Sequence, residues 1–126
     1  GSITVEESQV DTTTPPDDYL AEMARRERLI VISEEGLPWA FLTFFVLTSW
    51  DDVARYHERP MQMWPPDAQD GWLIYIDMLG GLTWSRALLR RVERVVCARF
   101  PRYTHAVWYR PSRRGDKCYN YRRREL

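Results

Sequence analysis

The sequence predicts an α+β fold built on a mostly antiparallel sheet, and three observations predict it. Two apolar runs, Leu29 to Ile32 and Trp39 to Leu47, flank the turn signal Ser33-Glu34-Glu35-Gly36, as in an antiparallel hairpin. A near-continuous run from Trp72 to Leu79 reads as a buried central strand, followed by Gly80-Gly81-Leu82-Thr83 and then a helical period from Trp84 to Arg99. After Pro101, Thr104 to Arg110 alternates, and Arg113-Arg114-Gly115-Asp116 turns the chain into a last strand, Lys117 to Arg122. That gives a central strand, glycine loop and helix, followed by a C-terminal β-hairpin.

The remaining elements follow from local chemistry. Ile3 to Pro16 is rich in Ser, Thr, Asp and Glu and ends in Pro-Pro, which predicts a flexible arm over residues 1–16 ahead of a single domain over 17–126. Asp17 or Asp18 caps a helix through Tyr19, Leu20, Met23 and Ala24, with Arg25, Arg26 and Arg28 where cations suit the C-terminal end of the dipole. Thr48 to Asp70 is a long polar connection with Pro60, Pro65 and Pro66 and a short helix near Asp51 to Tyr56. In the helix after the glycines, Trp84, Leu88, Val92, Val95 and Val96 form one face, and Arg86, Arg90 and Arg94 a row outside it.

Composition sets the outer limits. With 126 residues, 44% of them hydrophobic, the chain has material for one core. Its longest apolar run falls short of the ~20 residues that span a bilayer, so no membrane insertion is expected. Cys97 and Cys118 make neither a disulfide framework nor a zinc ligand set, which predicts no metal and a reducing, cytoplasmic setting. Gly1-Ser2 reads as a protease-cleavage scar with no initiator Met after it, so native residues upstream are expected to be missing or processed.

The 18 basic and 18 acidic residues cancel, but they are separated along the chain. Up to Ser85 there are 5 basic and 15 acidic residues; from Arg86 onward there are 13 and 3. Such a basic end attracts a polyanion, a partner or the chain's own acidic part.

Several groups are candidates for chemistry. Backbone N–H groups where a glycine turn enters a helix form an anion site, so Gly80, Gly81, Thr83 and Arg86 are candidate phosphate ligands; a plain tight turn is the alternative. Asp77 ends the central strand, as a proton acceptor or as a structural cap. His57, between Tyr56 and Glu58 in the long connection, is a general acid or base if that segment folds over a cleft, and otherwise a surface histidine.

Two binding surfaces compete with these. Arg110, Arg113, Arg114, Lys117, Arg122, Arg123 and Arg124 interleave with Trp108, Tyr109, Tyr119 and Tyr121, the residue types single-stranded nucleic acid binders use. Met61, Met63 and Trp64 offer an adaptable apolar patch for a protein partner or self-association, or fill the second face of the sheet.

Over roughly Leu29 to Arg122 the order of elements resembles the cofactor-binding half of the GNAT acyltransferase superfamily. More narrowly it resembles the toxin-activating lysine acyltransferases. The stretches that carry the likeness are Gly36-Leu37-Pro38-Trp39-Ala40-Phe41, Asp70-Gly71-Trp72-Leu73-Ile74-Tyr75-Ile76-Asp77, Leu88-Leu89-Arg90 and Phe100-Pro101.

The resemblance implies a central strand splayed from its neighbour, an acyl-CoA or acyl carrier protein as donor, and an amine as acceptor. It places Asp77 at the family's catalytic Asp. The family's N-terminal His has no counterpart before His57, which leaves open another base, a missing N-terminal residue, or a chain that has kept the fold and lost catalysis.

Overall fold

The computed structural model describes residues 3–6, 18–58, 68–81 and 85–123. Among them are six strands and three helices, in the order β1 (Ile3–Glu6), α1 (Asp18–Arg25), β2 (Leu29–Glu34), β3 (Leu37–Leu47), α2 (Trp50–Glu58), β4 (Leu73–Gly81), α3 (Arg86–Arg99), β5 (His105–Ser112) and β6 (Gly115–Arg122). The strands follow one another across one sheet in sequence order. The β1–β2, β2–β3 and β5–β6 pairs are antiparallel, whereas β4 and β5, joined through α3, are parallel.

The chain forms two compact units, Gly1–Thr43 with Met78–Ala98 and Phe44–Asp77 with Arg99–Leu126. In the first unit, Glu35 (φ 53°) and Gly36 (φ 81°) close the β2–β3 hairpin with two left-handed residues, the two-residue turn whose twist matches its strands. Tyr19, Met23, Leu29, Ile30, Ile32, Ala40 and Leu42 are buried. The Tyr19 hydroxyl lies 2.8 Å from the Thr43 hydroxyl, so these two buried hydroxyls are each other's partner.

Helix α1 ends without a glycine. Glu27 takes φ 60°, its N–H donates to the Ala24 carbonyl at 3.0 Å, and the Arg28 N–H reaches back to the Met23 carbonyl at 2.8 Å. This is a Schellman closure with a glutamate in the left-handed position.

One expectation is corrected here. Ile3–Glu6, inside the segment read as a flexible arm, is a strand paired with β2 from Ile3↔Glu34 to Glu6↔Val31. Ile3, Thr4 and Val5 are β-branched, and an open strand edge supplies the hydrogen-bond partners that composition does not reveal. The rest of that segment lies outside the described residues.

In the second unit, Phe44, Phe45, Val46 and Leu47 are all buried. Phe44 meets Phe100 edge-on at 5.8 Å, and Phe45 packs on Tyr56 of α2 at 4.5 Å. Ser49 caps α2, its hydroxyl accepting from the Asp51 N–H at 3.2 Å. The Arg123 guanidinium donates to the Pro101 and Tyr103 carbonyls at 3.2 and 3.1 Å, so this cation of the basic tail fastens the end of β6 to the segment before β5.

Candidate functional site

Strand β4 begins buried and ends exposed. Leu73, Ile74 and Tyr75 are buried, and Asp77 and Met78 are exposed. Asp77 therefore does not sit in the buried strand end that the apolar run suggested; it is exposed to solvent.

The parallel β4–β5 ladder runs from Leu73↔His105 to Ile76↔Trp108, while β4 itself continues to Gly81 and β5 to Ser112. Asp77 is thus the first β4 residue past the shared register.

Gly80 and Gly81 prolong β4 rather than breaking it after Leu79. Each has its own reason to lack a side chain. A Cβ on Gly80 would stand 2.1 Å from Phe41 Cε1, so the ring of Phe41 occupies that space. Gly81 takes φ 118°, a backbone state that L side chains rarely adopt.

Helix α3 starts at Arg86, two residues later than its apolar period suggested. Ser85 is its N-cap: the hydroxyl accepts from the Leu88 N–H at 3.1 Å and the carbonyl from the Leu89 N–H at 3.0 Å. Arg86 stands exposed in the first turn, and Leu88, Val92 and Val96 are buried as expected. Thr83 lies outside the described residues, as do Met61, Met63, Trp64 and Arg124.

His57 lies in the last turn of α2, not in a loop, and it is heavily engaged. Its Nε2 is 2.9 Å from Asp116 Oδ2, its ring stacks on Tyr109 at 3.7 Å and 14°, and its Nδ1 is 3.5 Å from the Tyr75 hydroxyl. A carboxylate only accepts, so Nε2 carries the proton of the neutral ring and Nδ1 faces the Tyr75 O–H.

Burial, followed by the charge of Asp77, pushes the Tyr75 phenol well above its ordinary value. Burial, and then Cys118 across the β5–β6 ladder, raises Tyr109 as well. Both phenols remain neutral donors through the physiological range.

Asp116 was legible only as part of a turn. Nothing in the sequence links it to a histidine on α2, because the pairing exists only once β6 lies beside β5. Cys97 is half-buried and Cys118 exposed, both as free thiols. Among the described residues no three His, Cys, Asp or Glu side chains gather as metal ligands would, and no helix is long and apolar enough to cross a membrane.

The fold these elements build is GNAT-like. A crystal structure of the loading GNATL domain of CurA from Lyngbya majuscula superposes with a TM-score of 0.59 at 6% identity, over 90% of this chain and 67% of that one. A crystal structure of malonyl-CoA decarboxylase from Rhodopseudomonas palustris superposes with a TM-score of 0.57 at 13% identity, over 86% of this chain and 31% of that one. At these identities the likeness is one of fold. No protein-family model and no curated protein matches the sequence.

Proposed function

We propose that this chain handles an acyl thioester, taking the acyl group from acyl-CoA or an acyl carrier protein and delivering it to an amine. The observation that supports this most is the β4–β5 register: a parallel pair that shares only Leu73↔His105 to Ile76↔Trp108, in strands that both run on. In this reading the donor's pantetheine arm runs alongside β4 beyond that point. The two structural neighbours, whose names concern a loading domain and a CoA thioester, support the same donor class.

In this reading the first-turn N–H groups of α3 that Ser85 does not cap, together with Arg86, hold the donor's phosphates, with Gly80, Gly81 and Thr83 as the other candidate ligands. The acceptor nitrogen attacks the thioester carbonyl and a C–N bond replaces the C–S bond. Asp77 takes the proton that the amine loses and passes it to the leaving sulfur, so that the donor departs as a thiol. Asp77 is preferred over His57 because it is exposed and directly follows the end of the shared ladder.

Resemblance to the toxin-activating lysine acyltransferases makes a lysine side chain the favoured acceptor. The cytoplasm is the compartment in which such a donor would be met.

Incubating the protein with a lysine-rich peptide and either acetyl-CoA or an acylated carrier protein tests this, with mass spectrometry reading the peptide. Asp77→Asn is expected to slow transfer by about 10²- to 10⁴-fold, the usual weight of a general base, with donor binding unchanged. Donor binding without transfer by the native chain would mean that the fold has outlived its catalysis. Absence of donor binding would remove the proposal.

A further inference from the structure

We infer that the β5–β6 hairpin binds single-stranded nucleic acid, seating bases on Trp108 and Tyr119 and phosphates on Arg110, Lys117 and the Arg113–Arg114 turn. This surface belongs to one compact unit and is independent of the acyl-transfer reading.

The register sorts the hairpin into two faces. Trp108 pairs with Tyr119, Arg110 with Lys117 and Ala106 with Tyr121, so these side chains share one face; Tyr109 and Cys118 share the other. That second face is occupied, since Tyr109 lies against His57. Tyr109, one of the aromatics that the sequence offered to a nucleic acid, is therefore committed elsewhere.

On the first face the Trp108 and Tyr119 rings form an offset parallel pair, with centroids 6.0 Å apart and 11° between their planes. The Arg110 guanidinium lies 5.7 Å and the Lys117 ammonium 5.3 Å from the Tyr119 ring centre. Arg110 and Lys117 are exposed residues, as are Arg113 and Arg114 at the turn. Trp108 Nε1 itself is buried, with no hydrogen-bond partner among the described residues, so the indole offers its ring rather than its N–H.

Charge then chooses the partner. Between His105 and Arg123 there are six basic residues and a single carboxylate, Asp116, and that carboxylate is paired with His57. A strip of cations beside stacked rings complements a chain that alternates phosphates and π-faces. An acidic protein would use the cations and leave the ring platform without a role. Strand β6 ends the sheet order, which leaves this hairpin with a neighbouring strand on one side only.

The test is fluorescence anisotropy of the full chain with labelled oligo-dT and oligo-rU of about fifteen nucleotides, near the upper site size for one small binding fold. Binding is expected to weaken steeply between ~50 mM and ~200 mM salt, as phosphate contacts require. Tyr119→Ala should lower affinity roughly 5- to 150-fold, the loss of about one stacked base. Arg113→Glu with Arg114→Glu, confined to an exposed turn, should also weaken binding and leave the circular dichroism spectrum unchanged, which guards against a folding defect.

No binding at low salt would overturn the inference. So would equal competition by polyglutamate, which would assign the surface to an acidic protein, or equal binding of duplex by the native chain and Tyr119→Ala.

Discussion

His57 Nε2 and Asp116 Oδ2 lie 2.9 Å apart and join the last turn of α2 to the start of β6, two elements remote in sequence. The same imidazole lies flat on Tyr109, so one residue gives both a hydrogen-bond partner and a ring contact to the hairpin. The pair is partly exposed, with side-chain exposures of 29% and 50%, and water screens it. A double-mutant cycle with His57→Ala and Asp116→Ala is expected to give a coupling of about 0.2–1 kcal/mol in urea unfolding. Acyl transfer should survive His57→Ala within a small factor, since Asp77 carries the proton in our account.

Tyr75 makes the alkaline side of the stability curve predictable. Its phenol is 2% exposed and shifted upward from an ordinary value of 10.0, so the unfolded chain loses this proton at lower pH than the folded chain does. The contribution is fully present below pH 10 and declines above it, by up to about 1.4 kcal/mol per pH unit until the folded phenol also ionises. Tyr75→Phe should flatten the curve above pH 10 relative to the native chain, measured by denaturant unfolding at stepped pH.

Glu27 occupies a backbone state in which glycine costs nothing. Glu27→Gly keeps the hydrogen bonds to Met23 and Ala24 and relieves a left-handed penalty of about 1 kcal/mol, partly offset by the added freedom of the unfolded chain. The midpoint of unfolding should rise.

Gly80 separates packing from ligand binding. Gly80→Ala places a methyl into the Phe41 ring and should cost about 1–3 kcal/mol of stability. If packing is the reason for this glycine, Phe41→Leu in the same chain should restore most of the loss, read by thermal unfolding.

Much of this arrangement was legible in the sequence, and the reasons are local. Ser33-Glu34-Glu35-Gly36 announced its hairpin because a polar stretch ending in glycine between two apolar runs signals a turn. The α3 face was legible because Leu88, Val92 and Val96 repeat at helical spacing. What was hidden depends on partners distant in the chain. Ile3–Glu6 is short and lies in a segment otherwise rich in polar residues, and becomes a strand only against β2. The cap at Glu27 carries no glycine to mark it. His57 read as a loop residue because prolines follow it, and its site emerged only when Asp116, Tyr109 and Tyr75 came to surround it.

Calorimetric titration of the chain with coenzyme A and with acetyl-CoA, at low and moderate salt, tests the central claim most directly. The account predicts saturable one-to-one binding that survives added salt and is strongly weakened by Arg86→Glu. No heat of binding, or a weak signal that salt erases and Arg86→Glu leaves unchanged, would contradict it.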